Sequence, residues 1–324
     1  MNVETFISMC SGLALFLYGM HFMGEQLKLF SGGRLQKLFG RMTDKTYKGV
    51  LLGCGITALI QSSSAVTVMA VGFVNSKMMT LSRAIAVIMG ANIGTTITAW
   101  ILSLTGISSD NIFISMLKPS FFAPIIAIIS VFIFMFSKKE KQQNIGGIMV
   151  GFSVLMMGMT FMSNAMSSLA DNPALSDFLL KLSHPLSGIL AGALLTAVIQ
   201  SSSASVGILQ ALSTTGCITF SEAFPIILGQ NIGTCVTAVI SAFGADKNGK
   251  RTAMAHLYFN IIGVTIVSVL YYLSDAVLNF GFKNMPVNAS EIAVIHSAFN
   301  IFSTAVLLPF TKQLEWLAVK TIKN

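Results

Sequence analysis

The stretches TALIQSSSA (Thr57–Ala65) and TAVIQSSSA (Thr196–Ala204) set the same glutamine and three serines, twice, inside apolar runs. Four adjacent polar side chains are costly to bury in hydrocarbon unless each finds a partner. The surroundings are of that kind: the chain is 54% hydrophobic and 10% charged, with a mean hydropathy of +0.77. No Asp, Glu, Lys or Arg occurs between Lys48 and Lys77, Arg83 and Asp110, Lys118 and Lys138, Lys141 and Asp171, or Glu222 and Asp246. Each run is long enough for one crossing helix of roughly 20 residues or for a pair of short helices. This composition specifies a polytopic membrane protein and excludes a soluble domain. The first apolar run reads as a retained span, because its early charge is Glu4 and neither a basic flank nor an A-x-A cleavage site accompanies it. Cys10, Cys54, Cys217 and Cys235 lack disulfide-framework or zinc spacing and read as small packing residues.

The two polar stretches belong to a longer repeat. At a constant offset of 139 residues, Gly12, Gly19, Met20, Phe22 and Met23 meet Gly151, Gly158, Met159, Phe161 and Met162. Gly49 and Gly53 meet Gly188 and Gly192, and GANIGTTITA (Gly90–Ala99) meets GQNIGTCVTA (Gly229–Ala238) without a gap. One offset held over so many positions marks a duplicated unit. Residues 1–141 form the first repeat, 142–275 the second, and 276–324 an extra C-terminal span and tail.

Within each unit the polar tetrad is flanked by segments too short to cross: Val50–Ile60 and Ala65–Val74, then Leu186–Ile199 and Ala204–Thr214. A re-entrant hairpin of two half-helices meeting at a polar tip accommodates them. Single spans are expected near 5–23, 84–104, 119–137, 145–168, 222–243, 254–273 and 292–310. Three crossings per unit is an odd number, so the second repeat is inverted and the two hairpins enter from opposite faces. With the N-terminus outside and the C-terminus cytoplasmic, 17 of the 20 Lys and Arg fall inside, and only Lys118, Lys181 and Lys283 fall outside. The net charge of +8 is thus a topology signal and calls for no nucleic-acid partner. Ala174–Ser183 reads as a short amphipathic helix on the outer surface.

The expected tips carry hydroxyls and amides that donate to oxyanions or ligate hard cations: Gln61, Ser62, Ser63, Ser64, Gln200, Ser201, Ser202 and Ser203. Each following half-helix aims first-turn N–H groups at the tip, and each preceding one presents carbonyls. Asn92 with Thr95 and Asn231 with Thr234, flanked by glycines in mid-span, are candidates to complete cation sites. No Lys or Arg falls within an expected membrane core, so co-bound sodium ions are expected to neutralise a bound anion. His256 and His296 each precede an asparagine by one turn, a spacing that serves proton handling or helix-to-helix hydrogen bonding.

The paired QSSS stretches, the GxNIGT spans and AHLYFNIIG (Ala255–Gly263) resemble the type II sodium/phosphate cotransporters over nearly the whole chain. The resemblance implies an all-α polytopic fold of two inverted repeats, each with a re-entrant hairpin, plus one C-terminal span. It implies sodium-coupled symport of inorganic phosphate by alternating access in the plasma membrane, the inner membrane of a bacterium. Ser62, Ser63, Ser64, Ser201, Ser202 and Ser203 would hold phosphate; Gln61, Asn92, Thr95, Gln200, Asn231 and Thr234 would hold sodium, with no organic cofactor. The offset counterpart of the family's acidic segment, Leu117–Phe121, has neither His nor Asp, which leaves sodium stoichiometry open. The family's PhoU-like domain is not expected within residues 1–324, leaving a PhoU-like regulator as a separate partner. The alternatives are transport of another oxyanion, phosphate export, an intramembrane serine hydrolase, or a receptor or assembly subunit that binds without transporting. The hydrolase is disfavoured by the lack of G-x-S-x-G, H-E-x-x-H or Walker A sequences.

Overall fold

A computed structural model describes residues 3–32, 45–106, 118–168 and 172–323. Arg34, Lys37, Arg41 and Leu117, on which parts of the topology and family readings fall, lie outside the described residues. The described residues form α1 (Val3–Ser31), α2 (Thr46–Ile60), α3 (Ser63–Asn75), α4 (Leu81–Ser103), α5 (Pro119–Phe136) and α6 (Glu140–Ser167). There follow α7 (Pro173–Leu182), α8 (Pro185–Ile199), α9 (Ser202–Ser213), α10 (Phe220–Ser241), α11 (Lys247–Leu278), α12 (Ala289–Leu307) and α13 (Thr311–Thr321). The protein is an all-α polytopic membrane protein.

Among the described residues, seven segments are each long and apolar enough to cross a membrane, α1, α4, α5, α6, α10, α11, and α12 continued into α13, and the bent pair α7 and α8 is so only when taken together. Each of the seven contains most of one of the expected spans. Burial separates the extremes: in the most apolar window of α4 and α10, 78% and 72% of residues are buried within the protein, against 22%, 17% and 11% for α1, α5 and α11, with α6 and α12–α13 between them at 50% and 44%. The two GxNIGT helices are therefore central pillars. The outer helices present apolar side chains such as Phe132, Phe136, Leu273 and Val277 to hydrocarbon.

Glycine lets the pillars receive the hairpins. A Cβ placed on Gly53 of α2 would stand 1.9 Å from the Val87 carbonyl oxygen of α4, and one on Gly90 of α4 would stand 1.9 Å from that of Val50. The same contacts recur 139 residues on: Gly192 of α8 against Ile226 O at 2.0 Å, and Gly229 of α10 against Ile189 O at 1.9 Å. Backbones packed this closely gain dispersion contact and exclude any side chain. A second glycine seam joins α1 to α6. A Cβ on Gly12 would meet Met162 N at 2.7 Å and one on Gly151 would meet Met23 N at 2.6 Å. Gly19 faces Leu155, and Gly158 faces Phe16, both at 2.3 Å from the backbone nitrogen. The helices thus run antiparallel, and each offers the other the contact it receives.

The sequence pattern placed both breaks at the tetrads, and the structure has them there: α2 ends at Ile60 and α3 starts at Ser63, α8 ends at Ile199 and α9 starts at Ser202. Two boundaries differ. α1 continues to Ser31, eight residues past the expected span, and the chain beyond Phe310 is helical rather than a tail. Pro309 sits in a single 3-10 turn, after which α13 buries Leu314 and Ala318 and bonds back through Thr321 Oγ1 to Tyr258 OH of α11, 2.6 Å apart. The amphipathic α7 exists as expected, bent by 103° from α8 and burying Leu179.

Candidate functional site

Each tetrad is a helix end followed at once by a helix start. Gln61 and Gln200 are C-caps in the left-handed region, at φ 56° and 58°, and their N–H groups close on Thr57 O and Thr196 O at 2.7 Å each. A side chain in that region costs about 1 kcal/mol or more where glycine would cost little, so both glutamines sit there against backbone preference. Ser62 and Ser201 are N-caps, their hydroxyls accepting from Ala65 N and Ala204 N at 3.2 Å. The serines Ser63, Ser64, Ser202 and Ser203 then occupy the first turns of α3 and α9, where backbone N–H groups lack an intrahelical acceptor.

All eight tetrad residues line one cavity of about 570 Å³. Its remaining wall comes chiefly from α1: Leu17, Met20, His21, Gly24, Glu25 and Lys28. Ser201 Oγ reaches Met20 Sδ at 3.8 Å, tying the second tip to that wall. Lys28 and Glu25 form an ion pair at 2.6 Å. A cation therefore does line the cavity, contrary to the expectation from the sequence. The reason is the extra length of α1, which carries Lys28 beyond the expected span but alongside the tips.

The candidate cation ligands of the pillars lie behind the tips rather than in the cavity wall. Asn92, Thr95, Asn231 and Thr234 are all buried. Asn92 Nδ2 donates to Asn260 Oδ1 at 2.9 Å, joining α4 to α11. Thr95, Asn231 and Thr234 donate to the preceding turn, at Ala91 O, Ile227 O and Gln230 O, which leaves their side-chain oxygens able to accept or ligate. The pillars touch the tips through two threonines that are offset counterparts. Thr98 Oγ1 donates to Gln61 Oε1 at 2.7 Å, whereas Thr237 Oγ1 lies 3.3 Å from Ser64 Oγ of the other half's hairpin.

Two residues of the opening stretches were passed over by sequence reasoning. Thr57 and Thr196, their first letters, are 1% and 0% exposed, and neither Oγ1 meets a hydrogen-bond partner among the described residues. Each packs where a Cβ on the GxNIGT glycine, Gly94 or Gly233, would stand 2.7 Å from the threonine Cβ. Their recurrence at the offset was the available signal. The two histidines behave differently from the helix-to-helix reading. His256 and His296 are buried, but Asn260 and Asn300 bond to their backbone carbonyls, and the interhelical bond belongs to Asn260.

The family model described as Na+/Pi-cotransporter matches residues 15–164 and again 154–288, one match for each half. The chain belongs to the Na+/Pi-cotransporter family. This is a family of transporters rather than enzymes. Among relatives, it is 29% identical over 306 residues to the uncharacterized protein YqeW of Bacillus subtilis (strain 168), covering 94% of each chain. It is 25% identical over 307 residues to YjbB of Escherichia coli (strain K12), provisionally named an inorganic phosphate export protein, covering 94% of this chain but 54% of YjbB. A shorter match, 40% over 82 residues, covers 24% of this chain and 12% of human sodium-dependent phosphate transport protein 2B. The chain thus spans nearly all of YqeW and about half of YjbB. No solved structure matches it. Within the Na+/Pi-cotransporter family, the tip cavity is this chain's candidate site for the transported ion.

Proposed function

We propose that the chain moves inorganic phosphate across the cytoplasmic membrane, coupled to sodium, by exposing the cavity between the two tips to alternate sides. The convergence of both tetrads on that one cavity carries the reading. Phosphate is held by Ser62, Ser63, Ser64, Ser201, Ser202 and Ser203, whose hydroxyls donate alongside the first-turn N–H groups of α3 and α9. Sodium is held by oxygens of Gln61, Asn92, Thr95, Gln200, Asn231 and Thr234, to which the orphaned hydroxyls of Thr57 and Thr196 are added. Lys28 meets the entering anion at the rim, exchanging Glu25 for it. The two halves, 1–141 and 142–275, are inverted repeats, a reading supported by the reciprocal contacts of α1 and α6. The N-terminus is outside, the orientation that places 17 of the 20 Lys and Arg on the cytoplasmic side as the positive-inside rule asks.

Export is the second reading, favoured by the name given to YjbB. The same cavity serves either direction. Phosphate flux in proteoliposomes, with a sodium gradient imposed first inward and then outward, tests both readings. Flux is expected to follow the sodium gradient. Ser63→Ala and Ser202→Ala should each raise half-saturating phosphate about ten- to a hundredfold, since a hydrogen bond to a charged ligand contributes roughly 1.5–3 kcal/mol. Flux indifferent to sodium would remove the coupling, and normal flux in both variants would remove the site.

A further inference from the structure

The tip cavity takes its helix wall from α1, and the internal repeat supplies a second helix to compare with it. At the offset of 139, the α1 wall residues Leu17, Met20, His21, Gly24, Glu25 and Lys28 correspond to Met156, Met159, Thr160, Ser163, Asn164 and Ser167 of α6. The two helices are antiparallel, with Thr5 Oγ1 near the start of α1 lying 3.4 Å from Ser168 Oγ just past the end of α6. Gly24 and Ser163 therefore sit toward opposite ends of the pair, and hence toward opposite sides of the membrane.

The two matching faces are in different states. Leu17 and Met20 border the open cavity, whereas Met156 and Met159 are 0% exposed and share an apolar cluster with Ala204 and Ala211 of α9. A Cβ on Gly24 would have only Ile60 O within 4 Å, at 3.9 Å. Ser163, its counterpart, is shut in: its Oγ is buried and meets no hydrogen-bond partner among the described residues, a costly position for a hydroxyl. One turn further on the α6 face opens again, because Asn164 and Ser167 are exposed. The tips differ in the same sense. Ile60 is fully buried and Gln61 accepts from Thr98, whereas Ile199 is half-buried in the cavity wall and Gln200 is exposed.

We infer that the α6 face from Met156 to Ser167 is a second entrance to the tip site, on the side of the membrane opposite to the first, and that Met156 and Met159 packed toward α9 are its closed gate. Halves related by inverted repetition can each take the arrangement the other now has. When the second hairpin leaves the methionines, Ser163 Oγ gains water, and Leu17 and Met20 close on the first hairpin. Methionine suits a surface that must pack in one arrangement and part in the other, because its unbranched side chain readily repacks. The inference rests on the alternating-exposure reading of transport and adds to it the residues of the entrance not open here.

The test uses the full chain without its four native cysteines, carrying Gly24→Cys, Ser163→Cys or Asn164→Cys, or Gly24→Cys paired with either of the others, in vesicles of both orientations. Gly24→Cys should react with an impermeant maleimide from one side and Ser163→Cys from the other. In the paired variant, a bulky maleimide placed on Gly24→Cys after folding wedges the first entrance open. Ser163→Cys should then lose most of its reactivity, while Asn164→Cys, already exposed, keeps its own. The inference is overturned if Ser163→Cys fails to react, reacts from the same side as Gly24→Cys, or reacts equally once the wedge is in place. It is overturned too if the wedge silences Asn164→Cys, since the effect would then be general. Phosphate flux judges the substrate separately: the expected labelling without flux removes phosphate, and flux without that labelling removes the second entrance.

Discussion

Thr57→Val and Thr196→Val should each raise stability without sodium and reduce the further stabilisation that sodium gives. Valine has nearly the shape of threonine, so the packing against Gly94 and Gly233 is kept and only the hydroxyl is lost. Both hydroxyls are buried without a hydrogen-bond partner among the described residues, a condition that costs about 1–3 kcal/mol per group. In sodium-free buffer each variant should therefore unfold later than wild type, by about 1 kcal/mol or more. Sodium narrows that advantage by about 1.3 kcal/mol if these oxygens are ligands. At a concentration a hundred times its dissociation constant, sodium stabilises the wild type by about 2.7 kcal/mol. A tenfold loss of affinity on removing one ligand cuts that increment to roughly half. Denaturant unfolding in mixed micelles, run as a sodium titration with potassium held as the balancing ion, reads both quantities. A variant that keeps the full sodium increment would refute the ligand role. A variant less stable than wild type without sodium would refute the claim that the hydroxyl is unsatisfied.

Gly192→Ala should destabilise strongly, because its Cβ would stand 2.0 Å from Ile226 O, forcing α8 and α10 apart; Gly55→Ala, with nothing within 4 Å, should be neutral or mildly stabilising. Thermal midpoints of the two purified variants check the contrast. Asn260→Ala removes the acceptor of the 2.9 Å bond from Asn92 and should cost about 1–3 kcal/mol, and it should weaken the sodium response because Asn92 loses the partner that orients it. Denaturant unfolding with and without sodium measures both effects. In a background lacking the four native cysteines, single cysteines at Lys45 and Lys139 should react with impermeant reagents only from the cytoplasmic side, and one at Asp177 only from outside. Labelling of Lys45 and Asp177 from one side would refute the inverted arrangement.

The helix breaks were legible because a polar tetrad inside an apolar run has few other uses, and repetition at one offset removed chance. The spans were legible from charge-free length once the tetrad-bearing runs had been set apart as hairpins. What the sequence hid was local geometry at helix ends. Nothing in the pattern announces that Gln61 and Gln200 adopt positive φ, since glycine is the usual residue there. Hydropathy falls off around Glu25 and Lys28, so the pattern ended the first span early, whereas the helix itself continues to Ser31 and brings that ion pair to the cavity. The last expected span ended at residue 310, where a single tight turn around Pro309 carries the chain onward into α13. Thr57 and Thr196 were overlooked because threonine in an apolar helix commonly bonds to its own backbone. Only the three-dimensional accounting shows that these two make no such bond.

The glycine seam between α1 and α6 bears on how such a chain could arise. Gly12 meets Met162 as Gly151 meets Met23, so the face that α1 offers is complementary to a copy of itself turned end over end. Self-complementarity of this kind is the requirement for a two-fold symmetric dimer. Two separate copies of one ancestral half, inserted in opposite orientations, would already have made these contacts. A single chain holding both copies would need only a connecting segment, and it would let the two differ, as Arg83 and Glu222 do at matching helix starts.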